Sequence, residues 1–235
     1  MKPIIHPADY YRRILAAQSH ALKGLDGPVA IIKLNRDQQV PEDKGSAGHW
    51  YYVIAGAVRR STIRTDGRRQ ILDLMLVHDF FFVGKSQREE PIEAITGETV
   101  LAGYSGARLE SFGERDRQFA RELRDITFQS LERTRQQLVV LGGVTTADKV
   151  SAFLLLLERR YGDQRGNIRL PITRYDLAEY LAVSVETVCR AFSDLQQRGI
   201  IALIGIRTVR IVDRDALEHQ TGRKYPNAGS DTIAA

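Results

Sequence analysis

The residues Thr173–Gln197 constrain this chain more than any other stretch, because they spell two short helices separated by a tight turn. Pro171 closes the preceding segment. Thr173 with Asp176 three places on is the start signal in which side chains cap otherwise unpaired helix amides. Leu177, Ala178 and Leu181 then recur at helical spacing. The small Ala182 lets the chain turn, and Ser184 caps a second helix from Val185, whose buried stripe is Val188, Phe192 and Leu195. Subtracting that stripe leaves Glu186, Cys189 and Arg190 at i, i+3 and i+4, one patch on the first turns of the second helix. A helix-turn-helix lays such a patch in the major groove of DNA. Arginine can donate two hydrogen bonds to guanine O6 and N7, and glutamate can accept from cytosine N4, so the pair suits base reading.

Arg198-Gly199 stops the second helix, and two β-branched runs follow, Ile200–Ile204 and Thr208–Val212, around the Gly205 turn. The expectation is a hairpin wing beside the two helices. Arg207 at its tip and Arg210 on its alternate face are candidates to meet phosphates, with Thr173, Ser184 and Thr187 completing the backbone-contacting set.

The run Val185–Arg190 followed by a wing resembles the CRP/FNR superfamily of bacterial transcription regulators, within it the FNR/FixK branch, whose recognition helix carries Glu-x-x-Ser-Arg. Cys189 stands where that branch usually has serine. The resemblance implies that Glu186 and Arg190 read the inner bases of an inverted repeat of the TTGAT/ATCAA kind. It leaves open the outer base pair, whose discrimination is attributed to the serine.

Upstream, Val29–Leu34, Trp50–Ile54, Ala57-Val58, Ser61–Ile63, Gln70–Met75 and Thr99–Tyr104 are short apolar or alternating runs, with Asp66-Gly67 as a hairpin signal. Such spacing suggests a sandwich or jelly roll. The strings Trp50–Arg59, Asp66–Ile71 and His78–Phe81 are similar to the effector domain of the same superfamily, a cyclic-nucleotide-type β-roll. Members that bind the cyclic nucleotide carry an arginine for its phosphate. The corresponding loop here, Val83–Pro91 and Glu93–Thr96, places acidic residues there, so no productive cyclic AMP binding is expected. Oxygen-sensing members hold an iron–sulfur cluster on N-terminal cysteines, and the single cysteine of this chain is Cys189. No cofactor is expected.

Between the halves, residues 114–141 are free of internal Pro and Gly and carry Phe119, Leu123, Thr127, Leu131, Thr134, Leu138 and Leu141 at alternating spacings of three and four. That is a long amphipathic helix with a coiled-coil-like seam. By family precedent its partner is the same helix of a second subunit; the alternative is the β-roll of its own chain. The fold class expected is therefore α+β: a β-roll over 1–112, a dimerisation helix over 113–142, a winged helix-turn-helix over 143–213 and a C-terminal tail over 214–235.

Composition is compatible with this reading without requiring it. The 235 residues make room for two cores, and the formal net charge is +5. The segment 165–212 holds seven Arg/Lys against four Asp/Glu, a denser positive excess than elsewhere. No apolar run is long enough to span a bilayer and no signal-peptide pattern opens the chain, which points to a cytoplasmic protein without membrane attachment. The lone Cys189, set among the base-reading positions, is also a candidate redox site, because a sulfenate or sulfonate there would put charge against DNA.

The competing class is a cupin-like β-roll that binds a small ligand or acts as an enzyme. Its metal site needs clustered histidines, whereas His6, His20, His49, His78 and His219 are scattered, and no nucleophile stands beside a base. No metal ligands are assigned. The expected partners are double-stranded DNA, a second copy of the chain and RNA polymerase. The charged loop Lys85–Glu90 and the surface beside the wing are candidates for the last.

Overall fold

A computed structural model describes residues 30–41, 48–84, 90–163 and 165–224. The chain divides into two compact units. The first takes in the described residues up to Thr62 with Leu72–Arg133, and the second takes in Ile63–Ile71 with the described residues from Thr134 onward.

The first unit is built on two antiparallel sheets. Strands β1 (Ala30–Leu34), β2 (His49–Ala55), β5 (Phe80–Val83) and β7 (Thr99–Ser105) form one, in the order β1-β7-β2-β5. Strands β3 (Ala57–Ile63), β4 (Arg69–Leu76) and β6 (Ile92–Ala94) form the other, in the order β4-β3-β6. β2 shows why its sequence is apolar without alternating. Tyr51 and Val53 enter a core with Val58, Met75 and Ala94 of the opposite sheet. Tyr52 and Ile54 on the other face enter a second core with Leu109 and Phe119 from the following helices. A strand covered on both faces needs apolar residues at every position.

The chain then runs into α1 (Gly106–Arg115) and α2 (Arg117–Leu141). The expected long helix thus starts at Arg117. Asp116 leaves the helical conformation, and its Oδ1 accepts from the amides of Gln118 at 2.8 Å and Phe119 at 3.1 Å, capping α2 afresh. Phe112 and Phe119 close the corner edge to face, with centroids 4.8 Å apart.

The seven-residue stripe expected on α2 proves to be two faces. Phe119 is buried and Leu123 half-buried in their own chain's core, joined there by Ile126. Further along this inward face Arg133 donates to Asp73 Oδ1 at 3.1 Å and to the Phe80 carbonyl at 3.2 Å. Burial would lower the Arg133 pKa, but the charges of Asp73 and Asp79 outweigh it and hold the guanidinium protonated. Thr127, Leu131, Thr134 and Leu138 are exposed instead, with Leu141 half-buried. Phe128, absent from the expected stripe, is exposed as well.

In the second unit α3 (Thr146–Tyr161) opens with a capping box between Thr145 and Asp148 and buries Val150, Phe153, Leu154 and Leu157. Helices α4 (Arg174–Leu181) and α5 (Val185–Gln197) follow. Strands β8 (Asn167–Arg169), β9 (Ile201–Leu203) and β10 (Thr208–Ile211) make a sheet in the order β8-β10-β9. The expected wing is β9 and β10; β8, three residues long, is too short to show a period.

The expected tail boundary at 213 is corrected. Asp213 caps α6 (Arg214–Thr221) by accepting from the Ala216 amide, Leu217 is fully buried, and Arg214 donates to Glu158 of α3 at 3.0 Å. One buried leucine in eight residues leaves no stripe for a sequence reader to find. Residues 225–235 of the expected tail, and residues 85–89 of the charged loop, lie outside the described residues. No helix among the described residues is long and apolar enough to cross a membrane.

Candidate nucleic-acid interface

The two helices of the motif are set by local chemistry. At the start of α4 the Thr173 amide donates to Asp176 Oδ2 at 3.0 Å, while the Asp176 amide donates to Thr173 Oγ1 at 3.2 Å. The Thr173 hydroxyl also donates to Asp176, at 2.6 Å. Thr173 therefore spends its donors on the cap, and as a phosphate contact it retains only acceptor capacity. Ala182 ends α4 in the left-handed region (φ 55°, ψ 43°), and this single residue makes the turn. Ser184 then caps α5, its Oγ accepting from the Thr187 amide at 3.2 Å and lying 2.9 Å from Thr187 Oγ1.

Val188, Ala191, Phe192 and Leu195 are buried, which pins α5 in place and turns its other face outward. Glu186, Thr187, Cys189 and Arg190 all lie on that exposed face. Hydrogen bonding from Ser184 and from its own amide, with the nearby charge of Arg190, holds the Glu186 carboxyl below the usual carboxylate range. It is ionised at neutral pH and able to accept from a base edge.

Arg207 is exposed at the wing, where its carbonyl accepts from the Leu170 amide at 2.7 Å. Arg210 is exposed too, with its Nε donating to Asn167 Oδ1 at 2.9 Å on β8. The wing tip also carries Ile206, 97% exposed.

Sequence reasoning passed over Arg174. At the first position of α4 its guanidinium lies over the Phe192 ring, 3.1 Å from the centroid. Burial pushes its pKa down to about 10, partly offset by Cys189, and its Nη1 is enclosed without a hydrogen-bond partner. An arginine here reads as surface charge in sequence, since only folding brings it over a ring eighteen positions later. Among the described residues no group of three or more His, Cys, Asp or Glu is placed to hold a metal ion.

Residues 148–220 match the family model of the Crp-like helix-turn-helix domain. Over 195 residues, 82% of this chain and 88% of the relative, the sequence is 38% identical to the nitrogen fixation regulation protein FixK of Rhizobium meliloti. The chain belongs to the CRP/FNR family of transcription regulators. Another CRP/FNR relative, the transcriptional activator protein FnrL of Cereibacter sphaeroides, is 29% identical over 179 residues, 72% of this chain and 71% of the relative. The solved structure of FixK2 from Bradyrhizobium japonicum superposes with a TM-score of 0.71 at 30% identity, covering 84% of this chain and 98% of that one. The expected architecture of effector-type β-roll and helix-turn-helix is thus that of the CRP/FNR fold, and the chain is a DNA-binding transcription regulator. Its relatives are named regulators rather than enzymes, and the cupin-like alternative drops out.

Proposed function

We propose that this protein activates transcription by binding, as a homodimer, an inverted repeat of the FNR/FixK kind. The observation that carries the reading is the joint exposure of Glu186, Cys189 and Arg190 on the first turns of α5 over a fully buried opposite stripe. Glu186 accepts from cytosine and Arg190 donates twice to guanine, while Cys189 offers a small side chain at the position between them. Ser184, Thr187, Arg207 and Arg210 meet phosphates and set the register, whereas Thr173, with both donors given to Asp176, serves as the cap of α4.

The dimer reading rests on the outward face of α2. Phe128, Leu131 and Leu138 are 58%, 56% and 66% exposed, and with Thr127, Thr134 and Leu141 they keep coiled-coil spacing. An apolar seam on a helix of 25 residues is supplied for a like helix, and pairing would set two recognition helices about one DNA turn apart. Activation is drawn from relatives named as activators, and RNA polymerase is the partner that activation calls for.

Selection of binding sites from random duplexes by the purified protein tests the reading. The expected product is a repeat with twofold symmetry. Arg190→Ala should weaken the selected site by roughly 1–3 kcal/mol and leave binding to random DNA nearly intact. Equal losses on both would remove base reading from α5.

A further inference from the structure

The turn between β3 and β4 belongs to the DNA-binding unit rather than to the roll that its strands help to build. Residues Ile63–Ile71 hold three arginines, Arg64, Arg68 and Arg69, against the single carboxylate of Asp66. Gly67, at φ +79°, supplies the left-handed residue of the turn, and its amide donates to the Arg64 carbonyl at 2.9 Å. Arg69 anchors this turn, its Nε donating to both carboxylate oxygens of Glu179 on α4, at 3.1 and 3.2 Å. That pair is mostly shielded from solvent, with side-chain exposures of 29% and 11%. The other two arginines point elsewhere. Their side chains are 51% and 81% exposed, and each stands 3.9 Å from Asp66, the long, exposed kind of ion pair that is worth little in water.

Arg64, Arg68 and Ser184 line one cavity of about 530 Å³, walled also by Tyr175 and Glu179. Ser184 is the residue that caps α5 beside the base-reading patch. We infer that Arg64 and Arg68 form an additional contact surface for the DNA backbone, outside the winged helix, reached by the strand that passes Ser184. The inference rests on the DNA-binding orientation proposed above. A duplex carries about one negative charge per 1.7 Å of its axis, so a backbone seated at Ser184 runs on past two exposed guanidiniums that give up only loose pairs to meet it. Guanidiniums that meet the phosphates rather than the base edges contribute independently of sequence. Asp66 works against the attraction, and the arginines outnumber it.

Fluorescence anisotropy of the full chain with the selected repeat and with a random duplex, over a series of salt concentrations, tests this. Wild type is compared with Arg64→Ala, Arg68→Ala and the double variant. Each lost phosphate contact should flatten the slope of log K against log salt by about 0.9, and a homodimer loses two contacts per substitution, so the double variant loses roughly three to four units. Affinity should fall by the same factor on both duplexes, and unchanged circular dichroism and melting temperature would show the fold intact. A double variant with the wild-type slope overturns the inference, as does one that binds more tightly. If wild type itself selects no repeat, the proposed function fails instead, and the two failures are told apart by that arm.

Discussion

Arg59 in the β-roll is fully enclosed, donating through Nη2 to Asp37 at 2.6 Å and to Glu93 at 2.9 Å, whereas Arg190 on α5 stands in solvent four residues from Glu186. The side chains are chemically identical and their roles are opposite. Burial would lower the Arg59 pKa, but hydrogen bonds and charge from Glu93 and Asp37 outweigh it, so the roll keeps a charge inside by pairing it with two carboxylates. Helix α5 does the reverse, burying Val188, Ala191, Phe192 and Leu195 and turning Glu186, Cys189 and Arg190 to solvent. A polar group consumed by its own fold holds the fold together. One displayed by a rigid element is available to a partner.

The largest effect that could break this contrast is on stability. Arg59→Met should destabilise the protein by about 3–5 kcal/mol, because it strands the Glu93 carboxylate, while Arg190→Met should stay within about 0.5 kcal/mol. Urea unfolding of both variants reads the difference, and equal midpoints would erase it. Next is the outward face of α2. Leu131→Asp, at a site 56% exposed, should leave monomer folding intact and weaken self-association by about 2 kcal/mol or more, seen in sedimentation equilibrium. A variant that remains as dimeric as wild type would move the seam elsewhere.

Cys189 sharpens the meaning of display, since it is exposed. Peroxide should cost wild type a base contact, roughly 1–3 kcal/mol on the selected repeat, and Cys189→Ser should be resistant. If the serine variant is inactivated just as readily, the thiol is not the sensitive group. The smallest effect concerns turns. Glycine already fills the left-handed positions 56 and 67, whereas in the motif Ala182 takes one. Ala182→Gly relieves strain of about 1–2 kcal/mol at an entropic cost of about 0.5–1, leaving a net gain of about 0–1.5 kcal/mol in thermal unfolding.

Much of this was legible in the residues because it is local. The capping pattern of Thr173 and Asp176, the small Ala182, the Ser184 cap and the wing's β-branched runs are each decided within a few positions. The same holds for most strands of the roll. What escaped was short or shared: β5, β6 and β8 are only three or four residues long, and α6 buries a single leucine. The stripe on α2 escaped in another way. Spacings of three and four describe both of its faces, so Phe119 and Leu123 read as continuous with Leu131 and Leu138 although they point to different neighbours.

By itself the sequence determined where the two helices of the motif lie, which face of the second is apolar, and that Glu186, Cys189 and Arg190 share a patch, since periodicity and capping act over one or two turns. Only the tertiary structure decided which polar groups are already spent. Thr173 on Asp176, Arg59 on Glu93, Arg69 on Glu179 and Arg174 over Phe192 are pairings in space, and a side chain's availability to DNA depends on every neighbour that folding brings to it.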